Sequence, residues 1–161
     1  MRYKLGNALI ALGVLALLAA VLHMGYNQWD STRAENAAAS VLTQLEESIA
    51  EPRTIYPGDA AADTEMPVGT IDGYDYIGYL SIPSIGLALP VMQQWSYPGL
   101  KIAPGRYSGA LNTDDLVIAG HNYARHFSPL KHHTVGTEVL FVDMNASTWH
   151  YEVSDTEVLQ P

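Results

Sequence analysis

The stretch Tyr76-Ile77-Gly78-Tyr79-Leu80-Ser81-Ile82-Pro83-Ser84-Ile85-Gly86-Leu87-Ala88-Leu89-Pro90-Val91-Met92 decides the fold class. It holds two short apolar runs, 76–82 and 87–92, joined by Pro83-Ser84-Ile85-Gly86. Proline presets a turn φ and glycine reaches backbone conformations closed to other residues, so the runs read as two strands meeting at a turn. Further on, Leu116-Val117-Ile118-Ala119-Gly120 reads as a short buried strand bounded by Asp114-Asp115 and a glycine. Glu138 to Val142 and Trp149 to Val153 read as a hairpin around Asp143-Met144-Asn145-Ala146. In its second arm Trp149, Tyr151 and Val153 alternate with His150, Glu152 and Ser154, one face in and one face out. Pro104 to Tyr107 and Phe127 to Lys131 read as short helical or turn connections, and no internal repeat is visible. The reading over 71–161 is a mostly β domain with short helices.

Upstream the pattern changes. Leu5 to Met24 contains no Asp, Glu, Lys or Arg, and about 20 apolar residues cross a bilayer as a helix. Arg2 and Lys4 precede the run, while Asp30, Arg33 and Glu35 follow it. That asymmetry predicts a single-pass anchor over 5–24, with the tip 1–4 cytoplasmic and the domain outside the plasma membrane. Tyr26 and Trp29 suit the outer interface. A cleaved signal peptide, with small Ala19 and Ala20, is the competing reading, but the run exceeds the ~7 to 15 residues of a signal's apolar region. Next, Ala38, Val41, Leu42, Leu45 and Ile49 fall on one helical stripe. Thr32-Arg33-Ala34-Glu35 as a capping box and Pro52 as a stop predict an amphipathic stalk helix over 32–50, packed on its own domain or on a sister stalk. From Glu51 to Thr70, Pro52, Pro57, Gly58, Pro67 and Gly69 among acidic residues predict a tether or N-terminal wrap, so that 25–70 is stalk and linker.

Composition narrows the chemistry. The chain has 161 residues, 48% hydrophobic and 16% charged, which excludes a wholly disordered protein. With 17 Asp+Glu against 8 Lys+Arg and net charge -9, nucleic acid is not an expected partner. A cysteine count of zero excludes disulfides, cysteine-ligated metals and any thiol nucleophile within these residues.

Gly78-Tyr79-Leu80-Ser81-Ile82-Pro83-Ser84-Ile85-Gly86-Leu87 with Leu89-Pro90-Val91 resembles the paired opening strands of the sortases, the membrane-anchored cysteine transpeptidases of Gram-positive bacteria. Pro104-Gly105-Arg106-Tyr107-Ser108-Gly109, then Asp115-Leu116-Val117-Ile118-Ala119-Gly120-His121-Asn122, resembles the stretch ending in that family's catalytic histidine. His126-Phe127-Ser128-Pro129-Leu130, Gly136-Thr137-Glu138-Val139 and Tyr151 to Pro161 are similar to the helix and two strands that follow, so the resemblance covers about 74–161. It implies a sortase-like β-barrel behind the anchor and stalk, with His121 as the catalytic residue. It also implies a sorting-signal peptide as substrate, a cell-wall precursor or pilin amine as acceptor, and no cofactor.

The family uses a cysteine, a histidine and an arginine, and only the histidine carries over. The cysteine and arginine positions would fall beyond Pro161, and Arg106 and Arg125 do not occupy the matching place. The sequence favours a truncated chain over a degenerate member, because it stops where strands closing the barrel are still expected. Such an incomplete barrel, with open edges and an unfilled core, is expected to be unstable and inactive alone. The alternative function is a non-catalytic, membrane-tethered β-domain that binds a peptide or cell-wall component.

Other residues have plainer readings. His126 and the pair His132-His133 could form a zinc site with Asp143 or Asp114, but the His121-to-His126 spacing suits no single helix face, so no metal is expected. His150 reads as exposed on its strand, and Asn145-Ala146-Ser147 as a plain hairpin turn despite matching a glycosylation acceptor. Trp95, Tyr97 and Pro98, before Lys101, either line a peptide groove or cap the barrel.

Overall fold

A computed structural model describes residues 2–49, 53–55, 65–132 and 134–158. Pro52, Pro57, Gly58, most of the linker and His133 lie outside the described residues. Two compact units are present, 1–33 and 34–161.

Helix α1 spans Arg2–Ser48, where the sequence predicts an anchor and a separate stalk. The difference lies at 32–35. Thr32 does not cap a new helix; its hydroxyl donates to the Gln28 carbonyl at 3.0 Å, as in a helix interior. In the first unit α1 is long and apolar enough to cross a membrane, and its large apolar side chains from Leu9 to Met24 are each more than half exposed. Arg33 pairs with Asp30 at 3.3 Å and lies 5.7 Å from the Trp29 ring centre, which lies 6.1 Å from that of Tyr26.

The second unit is a curled eight-stranded sheet with the end of α1 packed on it. Its strands are β1 (Arg53–Ile55), β2 (Gly69–Ile71), β3 (Tyr74–Ile82), β4 (Leu87–Met92), β5 (Gly105–Ser108), β6 (Val117–Ala119), β7 (Glu138–Asp143) and β8 (Ser147–Glu152). They run in the order β1-β8-β7-β3-β4-β5-β6, with β2 paired to β3 beside that path. β1 is parallel to β8 and β4 to β5; the other pairs are antiparallel.

β3 is central, pairing Tyr79 with Pro90 on one side and Val142 on the other. A bulge between Tyr76 and Gly78 brings the Gly78 backbone against the Val142 carbonyl at φ +142, where a side chain would collide. The predicted Pro/Gly turn forms as a short 3-10 helix, Pro83–Ile85, closed by Gly86 at φ 60. A second predicted connection also forms, as the 3-10 helix Ser128–His132.

The stretch 104–107, read from sequence as a turn or helix, contains β5 instead. Its strand geometry comes from remote partners: Met92 N–H donates to the Pro104 carbonyl at 2.9 Å, and Arg106 pairs with Ile118. The linker likewise contributes β1 and β2 to the sheet.

Apolar clusters tie the end of α1 to the sheet. Val41 and Leu45 of α1 are buried with Tyr76 and Met92, Ala38 with Ile82, Leu87 and Leu89, and Ile49, just past the helix, with Val142, so the stripe packs on its own domain, with Leu42 half-buried beside it. Ile77, Leu80, Val91, Leu111, Phe141 and Trp149 form the largest cluster. The β7–β8 turn is pinned by buried Asp143. It accepts from the Asn145 and Ser147 amides, both at 2.9 Å, and from Trp149 Nε1 at 3.1 Å.

Candidate active site

The site begins at β6, a strand of three residues that among the described residues pairs only with β5. Asp115 fixes its entry. The carboxylate accepts from the Ala110 amide at 2.9 Å and from the Thr113 hydroxyl. Those bonds, the Thr113 bond first, hold the carboxyl below its ordinary value. Gly120 fixes the exit, because the strand leaves so close to the Phe127 ring that a Cβ at 120 would strike it.

His121 follows directly and is exposed. Its ring lies parallel to that of Tyr123, centroids 4.0 Å apart and planes 4° apart. Tyr123 meets His126 edge-on at 5.4 Å and 75°. The turn carrying the three rings is held by Phe127 N–H to the His121 carbonyl at 3.3 Å and His126 N–H to the Tyr123 carbonyl at 3.0 Å.

His126 is fully buried, and neither ring nitrogen has a hydrogen-bond partner among the described residues. Burial holds its imidazole below the usual 6.5, against an opposing pull from the Ala34 backbone and Glu35. The Ala34 group favours the charged form without reaching hydrogen-bonding geometry. His126 is thus a neutral core side chain. Asp143 spends both carboxylate oxygens on the hairpin turn, and among the described residues no three His, Asp or Glu side chains gather to hold a metal ion.

The two arginines have structural partners. Arg106 donates to the Gln93 carbonyl at 2.9 Å and the Gly109 carbonyl at 3.2 Å, tying β5 to its flanking loops. Arg125 donates from Nε to Glu35 of α1 at 2.6 Å, on the rim of a cleft of about 330 Å³.

Along β6 runs a second cleft of about 260 Å³, lined by Leu80, Leu111, Leu116, Ile118, Phe141 and Tyr151 with Asp114 at its edge. Burial, then the charge of Asp114, pushes the Tyr151 phenol above its usual 10, so it remains a neutral donor. Trp95 lies elsewhere, its ring stacked on exposed Tyr107 at 5.7 Å and edge-on to exposed Tyr97 at 5.4 Å. His150 is partly exposed and lies 3.5 Å from Glu138 across the hairpin.

The Sortase domain model matches residues 80–161, from the middle of β3 through the hairpin and beyond. The chain belongs to the sortase family. Sortases are transpeptidases of the Gram-positive cell wall, and the matched span contains β6 and His121. No curated protein sequence matches this sortase.

Among solved structures, it is similar to sortase C1 from Streptococcus agalactiae at 28% identity, covering 53% of this chain and 48% of that one, TM-score 0.46. A sortase D5 transpeptidase from Clostridium perfringens matches at 20% identity, covering 50% and 53%, TM-score 0.43. Sortase C-3 from Streptococcus pneumoniae matches at 25% identity, covering 81% and 64%, TM-score 0.46. The chain spans about half the length of the first two.

The motif singles out His121 as the candidate, while the Tyr123 stack and the Glu35–Arg125 pair have no counterpart among the expectations from sequence. The stretch His121-Asn122-Tyr123-Ala124-Arg125-His126-Phe127 carries no period that announces either contact.

Proposed function

We propose that this sortase acts as a membrane-tethered transpeptidase in which His121 is the acid–base group. The thiol nucleophile and the arginine are supplied from outside these 161 residues, which contain no cysteine. The observation that carries the reading is His121 itself, an exposed imidazole just past the end of β6, the strand whose Ile118 lines an apolar cleft.

The chemistry follows from the groups. A thiol titrates near 8.5 and an imidazole near 6.5, and bringing them together favours thiolate and imidazolium. The thiolate attacks the carbonyl carbon of a sorting-signal peptide. As the C–N bond breaks, His121 gives its proton to the departing amine, leaving a thioester. An amine of the cell wall or of a pilin subunit then attacks the thioester, His121 takes that amine's proton, and the thiolate leaves. The protein has its N-terminus in the cytoplasm, the span 5–24 in the plasma membrane and the sheet outside. The apolar helix and the Arg2/Lys4 bias support this topology.

A second reading, a non-catalytic tethered domain that binds a peptide or wall component in the β6 cleft, rests on the cysteine count of zero. One experiment separates the two. The chain is expressed alone and with the codons that follow residue 161 in its gene, and each product is given a sorting-signal peptide and an amine. The enzyme reading expects transfer only from the longer product, through a cysteine encoded there. A stop codon directly after Pro161, or transfer by the 161 residues alone, would contradict it.

A further inference from the structure

His121, Tyr123 and His126 form a column of three rings running from solvent into the core. The outer ring is exposed, Tyr123 is 9% exposed and His126 is 0% exposed. The outer contact is face to face, at 4.0 Å and 4°, and the inner contact is edge to face, at 5.4 Å and 75°. Among the described residues no hydrogen bond to a ring nitrogen fixes the plane of His121. An imidazole just past a strand end would otherwise sample several rotamers. A buried aromatic face restricts it to those that lay the ring flat, and the π face also accepts the ring when it carries a proton.

Tyr123 can serve as such a platform because it does not move freely. Its carbonyl accepts the His126 and Ser128 amides, at 3.0 and 3.3 Å, and its ring packs nearly at right angles against that of His126. His126 in turn is seated beneath the Ala34 and Glu35 segment of α1. The column therefore joins the exposed imidazole to the packing of α1 on the sheet.

The geometry points to Tyr123 as a positioning residue whose ring, wedged against His126, sets the plane of the His121 imidazole for proton transfer. This rests on His121 being the acid–base group. The role belongs to the ring face, which phenylalanine also presents.

The test is nuclear magnetic resonance of the full chain in detergent micelles, with labelled histidine rings and the His121 signals assigned by their loss in His121→Gln. In the unaltered chain, His121 ring protons should show cross-peaks to the Tyr123 ring and a ring-current displacement from the signals of exposed histidines. Tyr123→Phe should keep that displacement and Tyr123→Leu should abolish it. Missing cross-peaks, which need no variant, or signals unmoved in Tyr123→Leu, would overturn the proposal.

In the longer, active protein Tyr123→Leu should lower kcat about 10- to 100-fold with KM unchanged, while Tyr123→Phe keeps kcat. If the stack is present but His121→Ala leaves turnover intact, the acid–base reading falls and the role falls with it. If His121→Ala inactivates but the stack is absent, the role alone falls.

Discussion

The imidazole of His126 lies against Tyr123, near the Ala34 and Glu35 segment of α1, and on the turn that carries it. Burial depresses its proton affinity, the nearby His121 adds to that, and Glu35 with the Ala34 backbone pulls the other way. Arg125, the remaining charge close by, is already paired with Glu35. Because the folded value lies below 6.5, the unfolded chain binds more protons here as pH falls below 6.5, and this position then costs the fold stability. We expect the thermal midpoint to drop as pH falls from 7 toward 5, and to drop less in His126→Phe, which keeps the edge contact without a titrating group. Equal slopes in the two proteins would contradict this. The sequence made His121 legible because a motif surrounds it. His126 was visible only as a candidate ligand, since nothing local says that a histidine five positions on will be enclosed and neutral.

Helix α1 and the β7–β8 hairpin were legible because each carries its own period. The stripe Ala38, Val41, Leu45 and Ile49 is buried as its spacing requires. Leu45 is 0% exposed between Tyr76 and Met92, so Leu45→Ala should cost about 2–5 kcal/mol in a denaturant titration, and half-buried Leu42→Ala should cost less. A reversed order would mean that α1 does not pack on the sheet along this stripe. The hairpin turn depends on Asp143. Replacing it by alanine leaves the buried Trp149 Nε1 and Ser147 amide without their acceptor, at about 1–3 kcal/mol for each donor. Trp149→Phe together with Asp143→Ala should cost less than the two changes summed, because the stranded indole donor is gone. Strands β1, β2 and β5 were not legible. Each is three or four residues long, and its conformation comes from pairing with Ser147–Trp149, Tyr74–Tyr76 and Val117–Ala119, far from it in sequence or outside any local pattern.

The chain as a whole joins an apolar helix with exposed side chains to a β domain whose family is sortase. From the Arg2/Lys4 bias, protease added to intact cells should digest the protein after Trp29 and leave the N-terminus protected. Recovery of a secreted form beginning near residue 20 to 25 would contradict the anchor. The net charge of -9 predicts no retention on nucleic acid at moderate salt, and binding there would contradict the reading of the surface. The family was legible through ordered motifs on either side of Gly120-His121, whereas the nucleophile was not, since no residue in these 161 can supply a thiolate. The most direct measurement is therefore single-turnover release of the leaving amine by the longer, cysteine-bearing protein, with and without His121. Acid–base assistance is worth about 100- to 10,000-fold, so His121→Ala should slow release by at least that lower factor while His126→Phe stays far closer to the unaltered rate. Release that tolerates His121→Ala and is lost in His126→Phe would contradict the placement of the acid–base group at the end of β6.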